Sequence, residues 1–213
     1  MESVIGVFGE ELLLWSCLLR QTAQRPAPDH VYRQANLLLD ELRASKLAQS
    51  LPVESVDDGL FAIAALLDEI GMALPDLRMI WASQPLQATR WMTNNAGVEF
   101  FERLNRARRG PKPVLATYVA VLGLGFQGRF ALPGADRYGL AELRRQISLE
   151  VGVDPDRDWR VGVLRAARPD SGPAAKAPTG PWHRSIGFGR ALGLTSLVAG
   201  LLGVALVLWQ KLG

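Results

Sequence analysis

Cysteine is almost missing from this chain. Cys17 is the only one in 213 residues, which excludes an intramolecular disulfide and fits a reducing compartment. It stands in "LLLWSCLLR" among apolar residues, where a buried structural thiol is expected. Histidine is nearly as scarce. His30 falls at a helix start and His183 in a proline-rich stretch, and no carboxylates cluster at ligand spacing, so no metal site is expected. No nucleophile motif is present either, so neither an enzyme nor a bound cofactor is expected. A basic body is also missing: sixteen Lys/Arg face seventeen Asp/Glu in residues 1–150, against eight and four in 151–213, so the formal +3 comes from the tail. A nucleic-acid-binding domain carries its basic patch on the folded part, which argues against that class. The first fifteen residues, with Glu2, Glu10 and Glu11 and no basic stretch, lack the pattern of a secretory signal.

What is present begins at the other end. "ALGLTSLVAGLLGVALVLW", Ala191 to Trp209, contains no charge. As a helix it would be roughly 28 Å long, close to a bilayer core. Trp182 and Trp209 suit the two interfaces. Arg165, Arg168, Lys176, Arg184 and Arg190 lie upstream, and the positive-inside rule places that flank in the cytoplasm. The expectation is a tail-anchored protein: a cytoplasmic body over 1–152, a flexible juxtamembrane linker over 153–189, a membrane anchor over 190–210 and a periplasmic tail over 211–213. The linker expectation rests on "RPDSGPAAKAPTGPWHR", with four prolines and little to fill a core. Small residues four apart, Gly189 and Gly193, Ser196 and Gly200, Ala199 and Gly203, permit close helix–helix approach. Gly193, Ser196, Gly200 and Gly203 are therefore candidates for anchor packing.

No run of the body sustains period-2 alternation, so the expected class is all-α. Residues 1–22 are apolar and long enough for a helix, ended by Pro26 and Pro28. A second helix is expected over 29–50, with Asp29 as its cap and Val31, Ala35, Leu38, Leu42 and Leu47 near one face. A third is expected over 55–74, opened by a capping-box-like Ser55-x-x-Asp58. Its middle, "LFAIAALL", is apolar on every side, the mark of a central helix packed on more than one face. Helices near 76–82, 96–109, 113–124 and 136–152 follow, with a further segment at 85–94. In "RLNRARRG", 103–110, four arginines read either as a solvated helix end favoured by the dipole or as a contact for anionic headgroups.

"YVAVLGLGFQGRF" spells G-x-G-x-x-G at Gly123, Gly125 and Gly128. The dinucleotide fingerprint needs a strand before and a helix after, so that phosphate meets a helix N-terminus. Here Pro133-Gly134 follows too soon for that helix. The glycines are expected instead to end one helix and turn the chain. A tail-anchored enzyme holding a nucleotide on Gly123–Gly128 is kept as an alternative, as is an unrelated membrane-tethered adaptor.

"LGFQGRF" is similar to the LGF-x-G-[KR]-[YF] signature of the DotU/TssL family of type VI and type IVB secretion systems. "LLDEIGMALPDLRMIWASQPLQ" resembles that family's Asp-Glu helix with its Trp and Leu-Gln step, and "AGVEFFERL" its Gly-x-x-Phe-Phe-x-x-Leu segment. The pieces fall in the family's order over about 10–150, and the anchor agrees. Two departures stand out: Ala116-Thr117 precede Tyr118 where the family often has an acid, and Ala96 stands where glycine is frequent. The resemblance implies a hook-like cytoplasmic body of two three-helix bundles at the bacterial inner membrane. It implies a structural role, docking baseplate proteins to an IcmF/TssM-like inner-membrane partner, with self-association. The type VI branch is the closer match.

Within that frame Asp68-Glu69 interrupts an apolar helix. Relative to Leu60, Ile63, Leu67 and Leu74, Asp68 falls on the flank and Glu69 opposite. The pair reads as a helix cap or ion-pair partner, or as an acidic rim where cytoplasmic partners dock. Gly125, Phe126, Gly128 and Arg129 are expected to form a turn locking the bundles. Adjacent Phe100 and Phe101, about 100° apart on a helix, are expected in two core layers.

Overall fold

A computed structural model describes residues 6–156; the linker beyond 156 and the anchor, with Gly193, Ser196, Gly200 and Gly203, lie outside the described residues. The chain divides into two units, Met1–Pro169 and Asp170–Gly213, and the described residues all belong to the first. They are all-helical: α1 (Glu10–Gln21), α2 (Pro28–Ala44), α3 (Lys46–Gln49), α4 (Val53–Ala73), α5 (Arg78–Ser83), α6 (Leu86–Trp91), α7 (Ala96–Ala107), α8 (Lys112–Gly123), a 3-10 turn (Gly128–Ala131) and α9 (Arg137–Glu150).

The centre is α4. From Phe61 to Leu67 every residue is buried, so no face of the helix is left for water. It packs on α2, α5 and α6 and also on α1, α7 and α8, and α9 packs on α8. The buried apolar side chains form one contiguous core, so the two helix groups share α4 instead of each closing on itself. Such sharing needs close approach. A Cβ at Gly71 would overlap the ring of Trp81, itself fully buried and edge-on to Tyr32 at 5.1 Å. Gly71→Ala is therefore expected to lower stability by about 1–3 kcal/mol through overpacking, read as a lower midpoint in a circular-dichroism melt of the detergent-solubilised chain. An unchanged midpoint would mean that α5 can slide on α4.

Several boundaries differ from those read in the sequence, for local reasons. The first helix starts only at Glu10, because Gly9 turns the chain at φ 80. Phe8 before it is fully buried. Its N–H donates to Pro113 O, and its carbonyl accepts from the Thr117 hydroxyl at 2.7 Å. Ser45 splits the expected 29–50 helix by capping α3 through Ala48 N–H, which leaves Leu47 41% exposed. Asp29 is not the cap of α2; Pro28 occupies the first turn behind Ala27, where a missing N–H costs nothing. Ser55 and Asp58 form no capping box either. The helix has already begun at Val53, and Asp58 is buried inside it.

Candidate functional site

The C-terminal half of α4 is where the separate sequence motifs come together. Asp68 is 5% exposed, and its two oxygens accept the backbone N–H groups of Leu86 (2.8 Å) and Gln87 (2.9 Å) at the start of α6. The Gln87 side-chain carbonyl accepts in turn from Ala96 N–H at 2.7 Å, where α7 begins. Glu69, one residue on, accepts from Gln127 N–H at 3.2 Å and Gly128 N–H at 3.1 Å. Gly128 then meets α7 backbone to backbone. A Cβ on it would stand 2.8 Å from Gly97 O, and one on Gly97 would stand 3.2 Å from Arg129 N. The Asp-Glu pair, the Leu-Gln step, the Ala-Gly helix start and the G-F-Q-G-R turn are thus one junction, made mostly of side chains satisfying orphan backbone donors.

Aromatic rings close it. Phe100 packs on Tyr118 (4.9 Å) and Phe126 (4.4 Å), while Phe101 packs edge-on to Phe130 (5.1 Å), the two layers that adjacency on a helix demands. Gly125, at φ 98, follows the end of α8, and its N–H returns to Leu122 O. Phe126 is buried; Arg129 is exposed and lies over the rings of Phe101 (4.8 Å) and Phe130 (5.1 Å). The stretch before the glycines is helix α8 and not a strand, and its C-terminal end presents carbonyls where a phosphate needs N–H groups. That geometry removes the nucleotide reading of Gly123–Gly128. Among the described residues no group of three or more His, Cys, Asp or Glu is placed to hold a metal.

Among the described residues no cation pairs with Asp68. Burial pushes its carboxyl up to about 6, against the opposing pull of the Gln87 and Leu86 N–H groups and the nearby Trp81 indole. Among the described residues the Trp81 Nε1–H has no hydrogen-bond partner within bonding distance. Both members of the acidic pair therefore spend their oxygens on backbone donors of this chain, Asp68 at the buried start of α6 and Glu69 at the half-exposed Gln127–Gly128 turn.

At the other end of α4 lies a charged cluster that the sequence reading did not assemble. Arg103 donates to Asp57 (2.9 Å), Asp58 (3.2 Å) and Glu99 (2.8 Å) while its guanidinium covers the Phe61 ring at 4.0 Å. Arg106 donates to Asp58 at 2.7 Å, Arg43 and the Trp91 indole to Asp57, and Arg108 to Glu150 at 2.5 Å. Three of the four arginines in 103–110 thus have carboxylate partners; Arg103 is largely buried while Arg106 stays half in solvent, so the run is a solvated helix end in part only. Burial alone would raise Asp57, but the hydrogen bonds from Arg103, Trp91 and Arg43 outweigh it and hold the carboxyl below its ordinary value. Tyr118, fully buried, donates to Asp58 O at 2.9 Å, and burial together with the Asp58 charge pushes its phenol well above the usual range. The available signal was two acids ahead of an apolar run and two arginines three apart on α7.

A family model described as type VI secretion system protein DotU matches residues 8–212, nearly the whole chain. The chain belongs to the DotU family. Two solved structures carry the same fold. The cytoplasmic domain of TssL from Acinetobacter baumannii is 25% identical, with a TM-score of 0.60 over 68% of this chain and 98% of that one. SciP/TssL from enteroaggregative Escherichia coli 042 is 25% identical, with a TM-score of 0.56 over 81% of this chain and 98% of that one. No curated protein matches the chain. For a DotU-family chain the junction at Asp68-Glu69 is where the family-like motifs meet in space. Among the described residues the stretch Lys112–Ala131 is apolar enough to cross a membrane, but it is 61% buried and forms part of the core.

Proposed function

We propose that this chain is a non-catalytic, single-pass component of a type VI secretion membrane complex. Its body stands in the cytoplasm, residues 190–210 anchor it in the bacterial inner membrane, and 211–213 emerge in the periplasm. It docks baseplate proteins on the cytoplasmic side to an IcmF/TssM-like membrane partner, it self-associates, and the small residues of the anchor pack against a second membrane helix, its own copy's or a partner's. The observation that carries the reading is the extent of the DotU match, which spans both the helical body and the uncharged C-terminal run. The acidic pair takes part in docking through the junction it builds: Asp68 from within, and Glu69 from a half-buried position at the rim.

Affinity isolation of the detergent-solubilised chain from its own cells, read by mass spectrometry beside a version ending at Arg184, tests this. A large multi-span membrane protein and baseplate components are expected with the full chain, the membrane protein alone being lost on truncation. Isolation of the folded chain with no membrane partner would sink the proposal and leave a generic tethered adaptor.

A further inference from the structure

We infer that Arg129 is a pre-organised docking arginine that receives a carboxylate from a protein partner. The inference rests on the docking reading above and names the group through which the junction acts. Three constraints hold the residue. Glu69 clamps the backbone beneath it through the Gln127 and Gly128 N–H groups. Gly97 allows α7 to press against that backbone, with no room for a side chain between them. The guanidinium itself rests on Phe101 and Phe130. Yet the side chain is exposed, and among the described residues none of its N–H groups has a hydrogen-bond or ion-pair partner. Arg103, Arg106 and Arg108 are all paired, whereas Arg129 lies against two rings and, among the described residues, keeps its fork unspent.

A held guanidinium is suited to bidentate recognition of a planar anion, because little rotamer freedom is left to lose on binding. A protein carboxylate fits better than a lipid headgroup. Anionic membranes are held by several basic residues together, whereas the body carries one more acid than base over 1–150. Arg129 is flanked by Gln127, half-buried Phe130 and Leu132, which is 65% exposed. A single arginine with an apolar border is the composition of an interface hot spot.

The test uses full-length chains expressed in cells lacking the native one: wild type, Arg129→Lys, Arg129→Gln and Arg129→Glu. Type VI secretion, membrane level and melting midpoint are read for each. Arg129→Gln and Arg129→Glu are expected to reduce secretion roughly 10- to 100-fold with the midpoint unchanged, and Lys to restore part of it. Suppressors of Arg129→Glu are expected in another protein, as Asp or Glu replaced by Lys or Arg. Normal secretion by Arg129→Gln overturns the inference. So does a midpoint that falls in step with secretion, which would make the residue a staple for the aromatic rings. Suppressors confined to this chain, or an Arg129-dependent shift of the chain onto phosphatidylglycerol but not phosphatidylcholine vesicles, also overturn it. If deleting the whole chain leaves secretion intact, the secretion role itself fails, an outcome distinct from all of these.

Discussion

Arg103→Ala is expected to destabilise the fold more than any other change of one charged residue, by roughly 3–5 kcal/mol. The side chain is 11% exposed and is shared by three carboxylates, one of which, Asp58, is 7% exposed. Removing it leaves Asp58 to Arg106, which is half in solvent, and uncovers the Phe61 ring. Lysine is expected to recover only a minor part, because one ammonium cannot face three acceptors and lie flat on a ring. Urea unfolding of the detergent-solubilised chain gives the number. The pH dependence adds a second reading. Asp57 is held below its ordinary value, so its contribution is present above about pH 4 and lost as pH falls through its folded value. The Arg103→Ala protein, lacking the main donor to Asp57, is expected to lose less on acidification than the wild type. A loss under 1 kcal/mol for Arg103→Ala would show that the cluster is a surface network.

Asp68 is expected to act in the opposite sense. Its folded carboxyl titrates at about 6 against an ordinary 3.8, so between these values the folded protein holds a proton that the unfolded chain has released. The contribution to stability is therefore full below pH 3.8 and lost as pH rises through 6. It amounts to roughly 3 kcal/mol between the two limits. Asp68→Asn removes the titration and keeps one acceptor for the Leu86 and Gln87 N–H groups. Near pH 7.5 the variant is expected within about 1 kcal/mol of wild type, since the lost hydrogen bond and the relieved burial of charge offset each other. Near pH 4.5 it is expected to be the weaker by roughly 2–3 kcal/mol. Comparing unfolding midpoints over that range decides it, because groups such as Asp57 titrate in both proteins and cancel in the difference. Two parallel stability curves would show that burial does not raise the Asp68 carboxyl above its ordinary value.

Periodicity and composition made much of the fold legible. The all-apolar middle of α4 announced a central helix, and Pro26 marked a break between α1 and α2 that the structure keeps. Gly9 and Ser45 were missed because a left-handed glycine and a single serine cap interrupt runs whose hydrophobic pattern continues past them. Ser55 and Asp58 have the spacing of a cap, but a short-range motif yields when tertiary charge partners claim the carboxylate.

The site divides in the same way. Family-like motifs could be picked out one by one, and Asp68 and Glu69 could be placed near the buried edge of a helix. Which donors they satisfy depends on Leu86 and Gln127, eighteen and fifty-eight residues away. The sequence by itself determined that the chain is helical, nearly neutral in its body, organised around one apolar helix and followed by an uncharged run long enough to span a bilayer. These properties are local, set by residue type and spacing. Only the tertiary structure decided that the acidic pair is spent on backbone donors of this chain, that three arginines of one helix end find carboxylate partners, and that Arg129, among the described residues, keeps its fork unspent. Each of those outcomes is a competition among distant groups for a limited set of partners, and its result appears only once the helices are packed.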